Sequence, residues 1–388
     1  MNMRAAESAA MGSAVAGAVL LAGGLRLDPQ RAWFAYLTAW TFSITLVVGA
    51  LLLLMIGHAA KASWMVVTCR PTEAVVSLLP FCALSFVPVA FGLASLYPWA
   101  APVAQLDPEL RDVVAHRHGY MNPPFFVART AVYLAIFGVV GGLLRYWSKQ
   151  NDDRPRMALV ARMRRLSAGG LPVVGLALTW ASFDWTMSLD AATASTIFGL
   201  YFFAGAFVGA IALVTILVCA SRRTARLRAL VTVEHAHALG RVLFAMVAFW
   251  AYIAFSQLLI VWIGGIPREV AYYARRTAGT WGWVTGVLAC GMFVIPFLAL
   301  IARAPKRRTG FLTAVASGVL FMHYVDVYWM IIPVHDVAGL RLQWVDLGAI
   351  LLFGGLSCLW VGRAYGRRSP LPAHLPEMVE GLAYEAAR

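Results

Sequence analysis

Residues 32 to 58 read AWFAYLTAWTFSITLVVGALLLLMIGH, a run without one Asp, Glu, Lys or Arg. About 20 apolar helical residues cross a ~30 Å hydrocarbon core, so a run of this length reads as a membrane span. In lipid every backbone amide must be satisfied within the spanning structure, which leaves helices and closed barrels, and barrel strands are only about 10 residues long. The stretch is therefore expected to be a transmembrane helix.

Working outward, similar runs fall near 9 to 24, 72 to 97, 124 to 147, 168 to 189, 194 to 220, 235 to 264, 279 to 302, 310 to 334 and 344 to 364. Composition agrees, with 61% hydrophobic and 13% charged residues over 388 positions, where soluble domains carry roughly 25% charged. The expected fold class is an all-α integral membrane protein of about ten transmembrane helices, with residues 1–388 forming a single membrane domain. The first run begins after Arg4 and ends at Gly23-Gly24, and it reads either as a retained helix or as a signal peptide. Cleavage near residue 24 would leave Leu25 outside just as a retained helix does, so charge counting does not separate the two.

A net charge of +14 would in a soluble chain suggest nucleic acid. Placement decides otherwise. Of the 32 Lys and Arg, 22 lie at the N-terminus and after the second, fourth, sixth, eighth and tenth runs, in clusters such as 145–165, 222–228 and 303–308. The opposite loops hold eight, and Arg129 and Arg241 lie within runs. Cytoplasmic loops retain basic residues, so both termini are expected in the cytoplasm, and the charge serves topology and lipid contact. Nucleic-acid binding is not expected.

Cys69, Cys82, Cys219, Cys290 and Cys358 stand singly, without C-x-x-C, C-x-x-C-H or ferredoxin spacing. They read as small apolar packing residues. No Walker loop or dinucleotide fingerprint stands at a strand-to-helix turn. No catalytic residue and no metal site is expected of this chain. A haem b would need two facing His at one depth, and only His58 with His235 or His237 offers that. Trp33, Trp99, Trp262 and Trp281 near run ends read as interfacial anchors, and Pro80, Pro88, Pro172 and Pro296 are expected to kink or open their helices.

Ionisable side chains inside the runs cost at least about 2.5 kcal/mol each at the bilayer centre and so mark cavities or pathways. Two groups emerge. An outer group holds Arg129, Asp184, His323 and Asp326, with Asp190, His335 and Asp336 at the surface. Carboxylate and imidazole bordering an apolar cavity can take the protons that a quinol sheds, with Arg129 neutralising either carboxylate. The same residues equally read as a salt bridge locking the fourth, fifth and ninth helices. An inner group holds Glu73, Glu234, His237 and Arg241, beside His58 and His235. Glu234, His237 and Arg241, spaced by three and four, share one helix face, which allows a mutual ion pair or a capped helix start with Arg241 snorkelling.

Four stretches carry a resemblance: YMNPPFFVARTAVY at 120–133, SFDWTMSLD at 182–190 with STIFG at 195–199, FWAYIAFSQLLIVWIGGIP at 249–267, and YVDVYWMIIP at 324–333. Together they resemble the NrfD/polysulfide-reductase-like membrane subunits, in particular the second quinone-binding-type subunit (ActF-type) of alternative complex III, a bacterial quinol:cytochrome c (or other high-potential acceptor) oxidoreductase. The resemblance implies a retained first helix, one four-helix bundle over 32–189 and another over 194–334. These are flanked by the first helix and by the last helix with a cytoplasmic tail, 344–388.

It implies the cytoplasmic (inner) membrane and a respiratory electron-transport setting. It also implies a chain without cofactors of its own, with quinone or menaquinone as the nearby substrate and with haem c and iron-sulfur clusters in partner subunits. Expected partners are a sister NrfD-like subunit, an iron-sulfur subunit, haem c subunits, a terminal oxidase and membrane lipid. Arg129, Asp184 and Asp326 fall inside the matching motifs. HALG at 237–240 lacks the Asp that relatives are expected to carry after the His, and GGIPRE at 264–269 is less acidic than expected. Glu234 would substitute in an inner proton path. The rival from another class is a proton-coupled secondary transporter, and the third reading is a purely structural anchor.

Overall fold

Residues 3–102, 108–222, 225–366, 368–372 and 374–385 are described by the structure, a computed structural model. Among these, ten helices are long and apolar enough to cross a membrane. They are α1 (Met3–Leu27), α2 (Pro29–Ala60), α3 (Cys69–Phe91), α4 (Pro123–Asp153), α5 (Met157–Trp185), α6 (Phe198–Ser221), α7 (Val233–Gly264), α8 (Gly279–Ile301), α9 (Thr309–Ile331) and α10 (Trp344–Gly366). The chain is a multi-pass all-α membrane protein, as its apolar runs predict. Of the basic cluster at 222–228, Arg223 lies outside the described residues.

Local signals set the helix starts. The Asp28 carboxylate accepts from the Arg31 amide at 3.1 Å with Pro29 at the first position of α2, and Asn122 caps α4 in the same way through the Phe125 amide at 3.0 Å. Thr232 and His235 form a reciprocal capping box at the start of α7, and Gly265 ends that helix at φ 59°. α5 begins at Met157 rather than at 168, because its basic first turns project from the membrane end, where Arg162 and Arg165 are exposed.

The prolines act unequally. α3 is broken into Cys69–Val76, Leu79–Leu84 and Phe86–Phe91, with Pro80 and Pro88 in the later pieces. Beside these breaks α2 side chains bind α3 carbonyls, with Trp40 Nε1 donating to Cys82 O at 2.9 Å and Tyr36 Oη to Ser85 O at 2.8 Å. Ahead of Pro296, α8 widens into a π turn at Cys290–Val294. Pro172 lies inside α5 without interrupting it; helices in lipid tolerate an internal proline where neighbours accommodate it.

α2 and α6 are the central helices, with 89% and 78% of their most apolar windows buried. α2 to α5 pack as one group, α6 to α9 as another, and the groups meet along α2, α5 and α6. α1 and α10 pair with each other and lie against α2 and α3. The α2–α6 crossing is backbone-close at Gly49, where an added Cβ would come within 2.8 Å of the Ala206 carbonyl carbon.

Candidate functional site

Asp184 ends α5 and faces α4. Arg129 donates to it through Nε and Nη2, each at 2.8 Å, and Tyr133 Oη donates at 2.9 Å. A third Arg129 nitrogen reaches Tyr120 O at 2.8 Å, and the guanidinium stacks 3.7 Å from the Tyr120 ring centre and 4.3 Å from that of Phe125. A bidentate pair with both partners further satisfied is a rigid lock between two helices.

Asp326 lies apart from this lock. It is fully buried on α9 and takes Tyr201 Oη of α6 on one oxygen and Trp250 Nε1 of α7, at 3.3 Å, on the other. Among the described residues no Lys or Arg pairs with it. Two expectations are corrected here: Arg129 serves Asp184 alone, and the salt bridge joins α4 to α5 without α9. The reason is reach, since α9 packs in the second helix group while Arg129 points at α5 within the first.

His323 shares a face with Asp326, three residues earlier. Its Nε2 meets Thr45 Oγ1 at 3.0 Å, while its Nδ1 is buried without a partner. A Cβ placed on Gly205 would lie 3.1 Å from Asp326 Oδ2 and 3.5 Å from His323 Nδ1, so carboxylate and imidazole face one notch left by the missing side chain. The His323 ring lies against Phe42 of α2, centroids 5.5 Å apart. A polar pair is thus held where α2, α6, α7 and α9 converge.

The inner residues are dispersed. Glu73 accepts from Arg70 at 2.6 Å and from Arg368 at 2.8 Å, and Arg70 also binds Ser148 at 2.9 Å and Asp152. Glu234 pairs with Arg307 at 2.5 Å, and Arg241 donates to Tyr384 Oη at 3.0 Å, so the expected ion pair within α7 does not form. Partners from the α8–α9 link and the chain's end outcompete a neighbour on the same helix. His237 is buried with Nδ1 unpartnered, while His235 spends its ring nitrogens on Thr232 and on Gly381 O, the latter at 2.7 Å. Of the cysteines, Cys290 and Cys358 are exposed rather than packed inside.

Several residues were not singled out from the sequence. Tyr201, Trp250 and Tyr133 carry the carboxylate contacts, and neutral aromatics in apolar runs give no local signal of that role. Arg31 is fully buried and donates to Tyr328 Oη at 2.9 Å and Asp346 at 2.5 Å. Arg276, on the connecting helix Pro267–Thr277, binds the carbonyls of Tyr272, Trp329 and Met330 within 3.0 Å and stacks 3.5 Å from the Tyr272 ring centre. Burial lowers the Arg276 guanidinium from its ordinary value and raises the Tyr272 hydroxyl. Trp99 and Trp281, expected as interfacial anchors, are instead buried and donate to Ser188 O and Asp336 O, whereas Trp262 is exposed.

The residues after α10 fold back across the basic end. Glu377 pairs with Arg164, Asn151 donates to His374 O at 3.0 Å, and the short helix Met378–Leu382 packs on Ser63–Val67. Searches against protein-family models and curated proteins find no match to this chain.

Proposed function

We propose that the chain is a cofactor-free membrane subunit of a quinol-oxidising, alternative complex III-like assembly, and that it conducts protons through the His323–Asp326 site. That site supports the reading because a fully buried carboxylate held, among the described residues, by a phenol and an indole can exchange a proton without breaking an ion pair. The neighbouring imidazole, with a free Nδ1 facing the same notch, is the next acceptor. The Arg129–Asp184 pair is the structural counterpart, a lock rather than a relay.

In this reading quinol is oxidised in a sister subunit beside an iron-sulfur cluster, with haem c in further partners, all within a bacterial inner membrane. Both termini lie in the cytoplasm, supported by the distribution of Lys and Arg. Retention of the first helix is supported by the way α1 pairs along α10. Purification through a C-terminal tag in mild detergent, with mass spectrometry and a reduced-minus-oxidised haem spectrum, tests the assignment. Haem c and iron-sulfur subunits with quinol-oxidising activity are expected to copurify, and a colourless protein without partners overturns it. A proton-coupled transporter is the second reading, favoured by the broken α3 and the π turn of α8. It requires that the isolated chain transport solute in vesicles.

A further inference from the structure

Between α2, α3, α6, α9 and α10 lies a void of about 570 Å³. Its walls are almost wholly hydrocarbon, including Phe42, Leu46, Val75, Leu78 and Leu217. On α10 it is bordered by Ile350, Gly354, Cys358 and Gly362, four residues apart on one stripe and all exposed. A Cβ added at Gly354 or Gly362 would meet nothing within 4 Å, so the void opens sideways at lipid depth.

Ala74 and Tyr365 close one end of this slot. The same two residues border a polar cleft lined by Arg70, Glu73, Arg145 and Arg368. The charges there do not balance. Glu73 is shared by Arg70 and Arg368, and Asp152 takes Arg70. Arg145 has no carboxylate in ion-pair range among the described residues, and its Nε is buried without a hydrogen-bond partner. Among the described residues three guanidinium groups thus meet two carboxylates, with Arg145 half-buried, and one anion completes the set.

We propose that this slot and cleft form one binding site for an anionic phospholipid, with an acyl chain between the helices and the phosphate on Arg145 and Arg368. Basic clefts between transmembrane helices at the cytoplasmic end bind anionic headgroups in this manner. An isoprenoid quinone fits the slot but offers no negative charge to Arg145. Free phosphate offers the charge but leaves the slot unfilled.

The test is native mass spectrometry of the protein, with any partners it retains, after incubation with phosphatidylglycerol, phosphatidylcholine, ubiquinone or inorganic phosphate. Phosphatidylglycerol is expected to be retained in preference to the others. Arg145→Gln is expected to lower its retention by about fivefold, the worth of one arginine contact, and Arg145→Lys to restore part of it. Gly354→Leu, which occupies the slot, is expected to lower retention with an unchanged melting temperature. The proposal is overturned if ubiquinone is retained instead and Arg145→Gln changes nothing. It is equally overturned if phosphate displaces the lipid and Gly354→Leu is without effect, or if every variant retains lipid as the parent does.

Discussion

Asp184 and Asp326 are both carboxylates at lipid depth, and their neighbours give them opposite behaviour. Replacing Asp184 by Asn leaves the Arg129 guanidinium one neutral oxygen there, beside Tyr120 O and two ring faces, with no counter-charge. Asp184→Asn is therefore expected to destabilise the fold by about 3–5 kcal/mol, the cost of breaking a buried pair from one side, seen as a lower melting temperature in detergent. Asp326→Asn breaks no ion pair and keeps an oxygen for Tyr201. Its expected signature is an assembled, coloured complex whose proton translocation falls by about 100-fold. Undiminished translocation would reduce Asp326 to an anchor. The four outer residues were legible as ionisable groups in apolar runs. Their pairing was not, since Arg129 and Asp184 lie 55 positions apart and nothing near either residue specifies the partner.

Helix packing turns on a few small side chains. Gly49 lets α2 touch the α6 backbone at Ala206, and Gly209 lies against the His323 ring. Gly49→Ala and Gly209→Ala are each expected to cost about 1–3 kcal/mol through overpacking, read as a lower melting temperature. Gly318→Ala, in open space on α9, is the control expected to leave it unchanged. A loss at Gly318 equal to that at Gly49 would show that helix propensity rather than close packing is being read. The breaks in α3 were legible from its prolines, whereas the unbroken α5 and the central place of α2 and α6 were not.

At the scale of the molecule, the segment after α10 ties the two helix groups together at the basic end. Glu377 reaches Arg164 in the first group, while Gly381 O and Tyr384 reach His235 and Arg241 in the second. Deleting residues 374–388 is expected to leave the ten helices intact but to raise hydrogen exchange in Ser63–Val67 and at the start of α7. Unchanged exchange there would mean that the tail only rests on the surface. Beyond a short tail, nothing in the sequence marks this role, because its contacts are mostly to backbone carbonyls and to ion pairs made across long separations.

The sequence by itself determined an all-α membrane protein with ten spans, because the hydrocarbon core imposes length and polarity on each helix separately and both are written locally. It also marked where polar groups would be costly, since an Asp, His or Arg in an apolar run is visible without knowing its neighbours. Only the tertiary structure decided that Arg129 holds Asp184 and leaves Asp326 to Tyr201 and Trp250. It likewise decided that Glu73 meets Arg368 and that a void lies beside α10. Such contacts depend on how closely distant helices approach and which faces they turn to one another, and that is set by the packing of all ten together.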